Sequence, residues 1–200
     1  MPWGVRIASP ADAGDMLEIY APFIRGTAVT FENEVPSVDD FGRRVAEVLD
    51  RFPWLACEDC GRVIGYAYAY PHRARHAYRW SAETSIYVAE GKRGCGVGRA
   101  LYGALLEILR VQGLCNAYAG ITLPNAGSAG FHESFGFRQI GTFPLVGYKQ
   151  GGWRDVGWWH LGLAEVSGEP PEPRSFPEVR SGEAVRRILR GARGPGPEEV

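Results

Sequence analysis

A strand that runs through a glycine-rich turn straight into a long amphipathic helix admits few architectures, and this sequence contains one at residues 86–112. The run is Ile86-Tyr87-Val88-Ala89-Glu90-Gly91-Lys92-Arg93-Gly94-Cys95-Gly96-Val97-Gly98-Arg99. Beyond it Leu101, Leu105, Ile108 and Leu109 form one apolar stripe, and Gly113 is placed to stop the helix. A helix start presents amide N–H groups with no partner and the positive end of the helix dipole. Glycines ahead of it let a phosphate approach those donors, and basic residues add charge.

Several phosphate loops fit such a turn in outline. A Walker A loop needs Gly-Lys-Ser/Thr before the helix, which is absent. In a dinucleotide fingerprint the third glycine would fall one residue later than Gly98, and no βαβ unit with a ribose-binding acid follows. The spacing Arg-x-x-Gly-x-Gly at Arg93, Gly96 and Gly98 is similar to the coenzyme A pyrophosphate loop of GNAT acetyltransferases. The plain alternative is a glycine turn that binds nothing; the flanking strand and helix weigh against it.

Around this segment the pattern alternates between strands and helices, an α/β (α+β) arrangement. Strands are expected at 5–8, 54–57, 63–70, 84–89, 117–123, 138–143 and 156–164, and helices at 10–24, 38–52, 97–112 and 128–134. Ser37 and Asp40 suit a capping box. From residue 167 on, Pro, Gly, Glu and Arg dominate, so the reading is one domain over 1–166 and a mostly disordered tail over 167–200, in which Ala184 to Arg190 suit one basic helical turn or two, with a docking peptide as the other option.

Acidic and basic residues nearly cancel, at 23 and 22, so nothing suggests a nucleic-acid or membrane-surface partner. No apolar run has the length of a membrane span, and residues 1–6 lack a signal-peptide pattern; a cytoplasmic protein is expected. Cys57 and Cys60 form a C-x-x-C, but no second pair follows at zinc spacing, so a strand end and turn are expected and no metal.

The resemblance extends beyond the loop. Arg51-Phe52-Pro53-Trp54-Leu55, Gly65-Tyr66-Ala67-Tyr68-Ala69, Arg75-His76-Ala77-Tyr78-Arg79-Trp80, Glu83-Thr84-Ser85-Ile86-Tyr87-Val88, Leu123-Pro124-Asn125, His132-Glu133-Ser134-Phe135-Gly136-Phe137 and the run from Gly147-Tyr148-Lys149 to Gly157 occur in order. Together these segments resemble the phosphinothricin acetyltransferase family over about residues 5–163. That family acetylates the free amine of small amino-acid analogues such as phosphinothricin and methionine sulfoximine.

The resemblance implies a GNAT fold: a mostly antiparallel sheet with one parallel, splayed pair of strands, flanked by helices. It implies acetyl-CoA as cosubstrate, a homodimer, and pantetheine pairing along Ile86, Tyr87 and Val88. The pyrophosphate would sit at Arg93, Gly94, Cys95, Gly96, Val97, Gly98 and Arg99, with Asn125 and Ser128 touching the coenzyme. Glu83 matches the family's catalytic glutamate, acting on the amine directly or through water. His132 stands where many GNAT enzymes place the tyrosine that protonates the leaving thiolate, so it is expected as general acid or relay.

Arg73 and Arg75 would bind the acceptor's anionic groups, with Phe31, Tyr78 and Tyr87 as walls and Thr30 at the border. Family members often carry Lys where this chain has Arg73 and Asn where it has Thr30. Those departures bear on which amine is used. The competing functions are acetylation of another amine (a peptide N-terminus, a polyamine, an aminoglycoside) and a non-catalytic coenzyme A sensor.

Overall fold

The computed structural model describes residues 3–194. Strands β1 (Gly4–Ile7), β2 (Trp54–Asp59), β3 (Arg62–Pro71), β4 (Ser81–Val88), β5 (Asn116–Thr122), β6 (Arg138–Lys149) and β7 (Gly152–Gly162) form one sheet in the order β1-β2-β3-β4-β5-β7-β6. Helices α1 (Ala13–Gly26) and α2 (Val38–Leu49) cover one face. Helices α3 (Val97–Gln112), α5 (Phe176–Val179) and α6 (Glu183–Gly191) cover the other, and α4 (Ala126–Glu133) follows β5.

Local chemistry sets these boundaries. The β2–β3 hairpin turns at Cys60 and Gly61, whose φ angles of 51° and 79° suit a two-residue turn. Ser37 caps α2 by accepting the Asp40 amide at 3.1 Å. Gly96 and Gly113, at φ 82° and 88°, bracket α3 with left-handed residues that a side chain would strain.

The period of two along the strands sorts the core into two layers. Leu55, Ala67, Ala117 and Ala119 face α3, where they meet Leu101, Leu105 and Ile108. Trp54, Ala56 and Tyr66 face α1 and α2, where they meet Met16, Tyr20 and Phe41. On β4, Ile86 and Val88 join the α3 layer and Tyr87 the other.

All neighbouring strands are antiparallel except β4 and β5. Their pairing lasts for Ser81↔Asn116, Ala82↔Ala117 and Glu83↔Tyr118 and then ends. Beyond it β4 stays with β3 as far as Val88, and β5 stays with β7 as far as Thr122, so the sheet splits into a V as the resemblance implies.

Two expectations need correction. The last hairpin is longer than 138–143 and 156–164. Pro144 and Gly147 break a strand pattern, but a bulge between Phe143 and Gly147 absorbs them. There Leu145 takes φ 50° and its amide donates to Asp155 Oδ1 at 2.8 Å.

The segment after residue 166 is not a disordered tail over its described part. Phe176 and Val185 are fully buried and Val179 nearly so, packed with α3 in the main core. Gln112 donates to the carbonyls of Arg51 and Arg174, both at 2.9 Å, which anchors the approach to α5. The Val5 amide donates to Ala192 O and the Gly194 amide to Trp3 O, both at 2.9 Å, along the outer edge of β1. The basic, Gly-rich composition hides these few apolar anchors. Residues 195–200 of the expected tail lie outside the described residues.

Candidate active site

A cleft of about 1220 Å³ opens beside the start of α3 and runs along β4. Arg93, Gly94, Gly96, Gly98 and Arg99 form its glycine-loop end, and Asn125 and Ser128 its α4 wall. Ile86, Tyr87 and Val88 line the strand side. Two residues of the expected loop set do not line it. Val97 is fully buried against the core, and Cys95 points outward with its thiol 3.7 Å from Arg93 O.

The glycine-loop end of the cleft is open to the start of α3. A Cβ on Gly98 would meet the Phe131 ring at 3.4 Å, and Gly94 and Gly96 have φ 76° and 82°, so the loop is free of side chains where it borders the helix start. Arg93 lies 5.3 Å from the Phe23 ring centroid and keeps its charge at the rim. Asn125 spends its carboxamide oxygen on the Ser128 amide at 3.1 Å, capping α4.

The Ala89 amide bonds Ile64 O on β3. In an antiparallel ladder alternate residues face the same neighbour, so the backbone of Thr84, Ile86 and Val88 faces the V. Thr84 is partly occupied there, its hydroxyl bonding Tyr118 O and Tyr102 Oη at 3.1 and 2.6 Å.

At the vertex of the V, on the opposite face from α3, sits Glu83, 9% exposed. Tyr70 Oη donates to its Oε2 at 2.9 Å. His72 Nδ1 and Arg73 Nη1 meet Oε1 at 3.0 and 3.1 Å. Burial and the neighbouring Glu83 charge push the Tyr70 hydroxyl far up, so it keeps its proton and donates it to the carboxylate. The sequence singled out Glu83 and Arg73 but gave no role to Tyr70 or His72.

Other expected acceptor residues are distributed around this cluster. Arg73 also lies 5.7 Å from the Trp158 ring, and Tyr78, exposed, is 5.9 Å from His72. Arg75 is exposed on the same loop. Thr30 turns its hydroxyl to Tyr20 Oη at 2.7 Å, and Phe31 lies directly on Gly147, where a Cβ would clash. Tyr87 packs edge-on to Tyr20 and Phe23. Lys149, also unassigned from sequence, is buried and donates to the carbonyls of Thr30 and Glu32 at 2.8 and 2.7 Å, fastening this loop to β6.

His132 is placed differently. It is 4% exposed on the α3 face, edge-on to Tyr102, Phe131 and Phe137. Nδ1 lies 2.7 Å from Ser128 O, so it carries the ring proton, and Nε2 is buried without a partner among the described residues. Burial lowers its pKa and keeps it neutral. In this tautomer the ring's proton is directed along α4 toward Ser128 O.

A sheet split into a V beside a glycine loop at a helix start defines a coenzyme A-dependent acyltransferase. Residues 5–158 match the acetyltransferase (GNAT) domain family, and the chain belongs to that family of N-acetyltransferases. The phosphinothricin N-acetyltransferase of Streptomyces viridochromogenes is 38% identical over 172 residues, 86% of this chain and 93% of that protein. An L-methionine sulfoximine/L-methionine sulfone acetyltransferase of Pseudomonas paraeruginosa is 36% identical over 170 residues, 83% of this chain and 98% of that one. Among solved structures, a phosphinothricin acetyltransferase from Sinorhizobium meliloti in complex with acetyl-CoA superposes with a TM-score of 0.81 at 31% identity, covering 90% of this chain and 98% of the other.

Proposed function

We propose that this enzyme transfers the acetyl group of acetyl-CoA to the free amine of a small anionic amino-acid analogue, of the kind named by phosphinothricin and methionine sulfoximine or sulfone. The observation that carries the reading is the Glu83 cluster, with Arg73 beside it, at the point where β4 and β5 part. The residues fit acetyl-CoA: the side-chain-free turn at Gly94, Gly96 and Gly98 takes the pyrophosphate, and the free backbone of Ile86 and Val88 takes an extended amide-bearing arm. Acetyl-CoA supplies an acetyl thioester. The protein must orient the amine, remove its proton and stabilise charge at the carbonyl oxygen.

Arg73, Arg75, Tyr78 and Phe31 surround the acceptor, and the amine loses its proton at the Glu83 cluster. His132 serves as a positioning residue: it ties α4 together through Ser128 and backs the cleft wall. Ile140, Leu145, Val146, Tyr148 and Trp153 are each at least half exposed on the β6–β7 hairpin, which supports the reading of a homodimer joined through this edge.

Thiol release from acetyl-CoA tests the proposal, with phosphinothricin, methionine sulfoximine, methionine sulfone and a panel of peptides and polyamines as acceptors. Turnover of the small analogues with little on the rest is expected. Preference for peptides or polyamines would move the substrate elsewhere, and tight acetyl-CoA binding without turnover would indicate a sensor.

A further inference from the structure

We propose that His72 is the residue that takes the proton from the acceptor amine, through Nε2, with Glu83 holding its ring in place. This rests on the acetyl-transfer reading and names the proton acceptor within it.

The hydrogen bonds fix the tautomer. A carboxylate only accepts, and Glu83 has three donors around it: Tyr70 Oη, Arg73 Nη1 and His72 Nδ1. Nδ1 of His72 is therefore a donor, and in the neutral ring Nε2 carries the lone pair. The carboxylate oxygens face those donors, so its own capacity to meet an amine is largely taken up. Nε2 of His72 makes no hydrogen bond among the described residues, yet it is not among their buried, unpartnered atoms, whereas Nε2 of His132 is. This nitrogen is unpartnered among the described residues and has access to solvent.

The ring is also held. It stacks on Tyr118 at 4.3 Å and 17°, and lies edge-on to Tyr78 and Trp158, each at 5.9 Å. Arg73 Nη1 donates to the His72 carbonyl at 2.8 Å, fixing the backbone beneath it. Tyr118 and Glu83 form the last rung of the parallel pair, so the imidazole sits over the vertex from which the free edge of β4 departs. The groups that face it are Glu83 from β4, Arg73 and Tyr78 from its own loop, Tyr70 from β3, Tyr118 from β5 and Trp158 from β7; His160 lies beyond the Tyr118 ring.

The step balances as a proton transfer. An N–H bond of the acceptor ammonium breaks, one forms at His72 Nε2, and the electron pair stays on the amine nitrogen for bond formation to the acetyl carbon. The imidazolium is paired with Glu83 until it returns the proton to water. The carboxylate thus orients and stabilises the base, as a carboxylate does for histidine bases generally.

The first test needs no variant and no coenzyme. Nitrogen-15 shifts of the imidazole in the wild-type protein should show a protonated Nδ1 and a bare Nε2, and Glu83→Gln should scramble that preference. The second is kinetic. His72→Ala should lower kcat about 10²- to 10⁴-fold near neutral pH, as loss of a general base does. The KM for acetyl-CoA should hold, the deficit should shrink as the pH approaches the amine's own pKa, and added imidazole should restore part of the rate. His72→Gln guards against an effect of the cavity and should show the same deficit. A proton on Nε2, or full activity in both variants while Glu83→Gln is dead, would overturn the proposal. Wild-type protein that turns over no amine brings down the acetyl-transfer reading instead, a result the shift measurement keeps separate.

Discussion

On one face of the sheet Glu83 accepts three hydrogen bonds beside a half-buried imidazole; on the other, His132 is sealed among aromatic rings with one nitrogen unpartnered among the described residues. Both residues stand out in the sequence as proton-handling groups. The V between β4 and β5 brings the faces together, but their surroundings differ in kind. The Glu83 face collects charges and lets them satisfy each other next to water. The α3 face excludes water, so a titratable group there stays in its neutral form. The reading proposed above accordingly assigns proton chemistry to the first face, and coenzyme anchoring to the second.

The largest test of this division is Glu83→Gln. It should lower kcat/KM by about 10²- to 10⁴-fold at neutral pH, and by less at high pH where the amine is already uncharged; thiol-release profiles against pH measure it. Melting temperature should change little. An equal loss at every pH would break the division at its catalytic end.

Phe176→Ala attacks the other face. The ring is wholly buried against α3, so the truncation should cost roughly 3–5 kcal/mol in urea unfolding, with acceptor KM preserved in the remaining folded protein. A loss below about 1 kcal/mol would mean that α5 and α6 are not part of the core.

Gly96→Val probes the anchor. At φ 82° a β-branched residue is strained by roughly 1–2 kcal/mol. If the loop relaxes out of shape, acetyl-CoA should bind about tenfold more weakly by calorimetry. The KM for the acceptor should hold.

The smallest kinetic effect is expected for His132→Phe, which keeps a ring and removes both nitrogens. Turnover should fall by less than about tenfold; a fall beyond 10² would restore the residue as an acid. Its pH signature lies in stability. Burial holds its pKa below 6.5, so below 6.5 the unfolded chain binds a proton that the folded protein does not. Stability is thus lost as pH falls from 6.5 toward the lower folded value. Denaturation curves across that window should be flatter in the variant.

Much of this was legible beforehand, and the reasons are local. Helix α3 follows from its apolar stripe and bracketing glycines, and its observed ends match the expected ones. The V follows from a family resemblance, since no residue between 81 and 88 declares that its partner runs parallel. His72 was hidden in a basic cluster with Arg73, Arg75, His76 and Arg79, and spacing alone does not say which cation turns inward at a strand end. Lys149 reads as a surface lysine until the loop carrying Thr30 and Glu32 closes over it. After residue 166 only the basic turns at 184–190 are legible, where α6 forms; composition masks α5 and the packing of both, although Phe176, Val179 and Val185 with Ile188 and Leu189 do keep helical spacing.

The contacts of Val5 with Ala192 and of Trp3 with Gly194 also impose an order in time. During synthesis β1 emerges before the other strands, yet its outer edge is covered only once the chain has been extended through residue 194. Through that interval the nascent chain carries an open strand edge and an α3 layer lacking Phe176 and Val185. A ribosome paused before residue 176 would therefore hold a sheet with its chemistry in place and one flank uncovered, the state in which this chain is most exposed to chaperones and to its own neighbours.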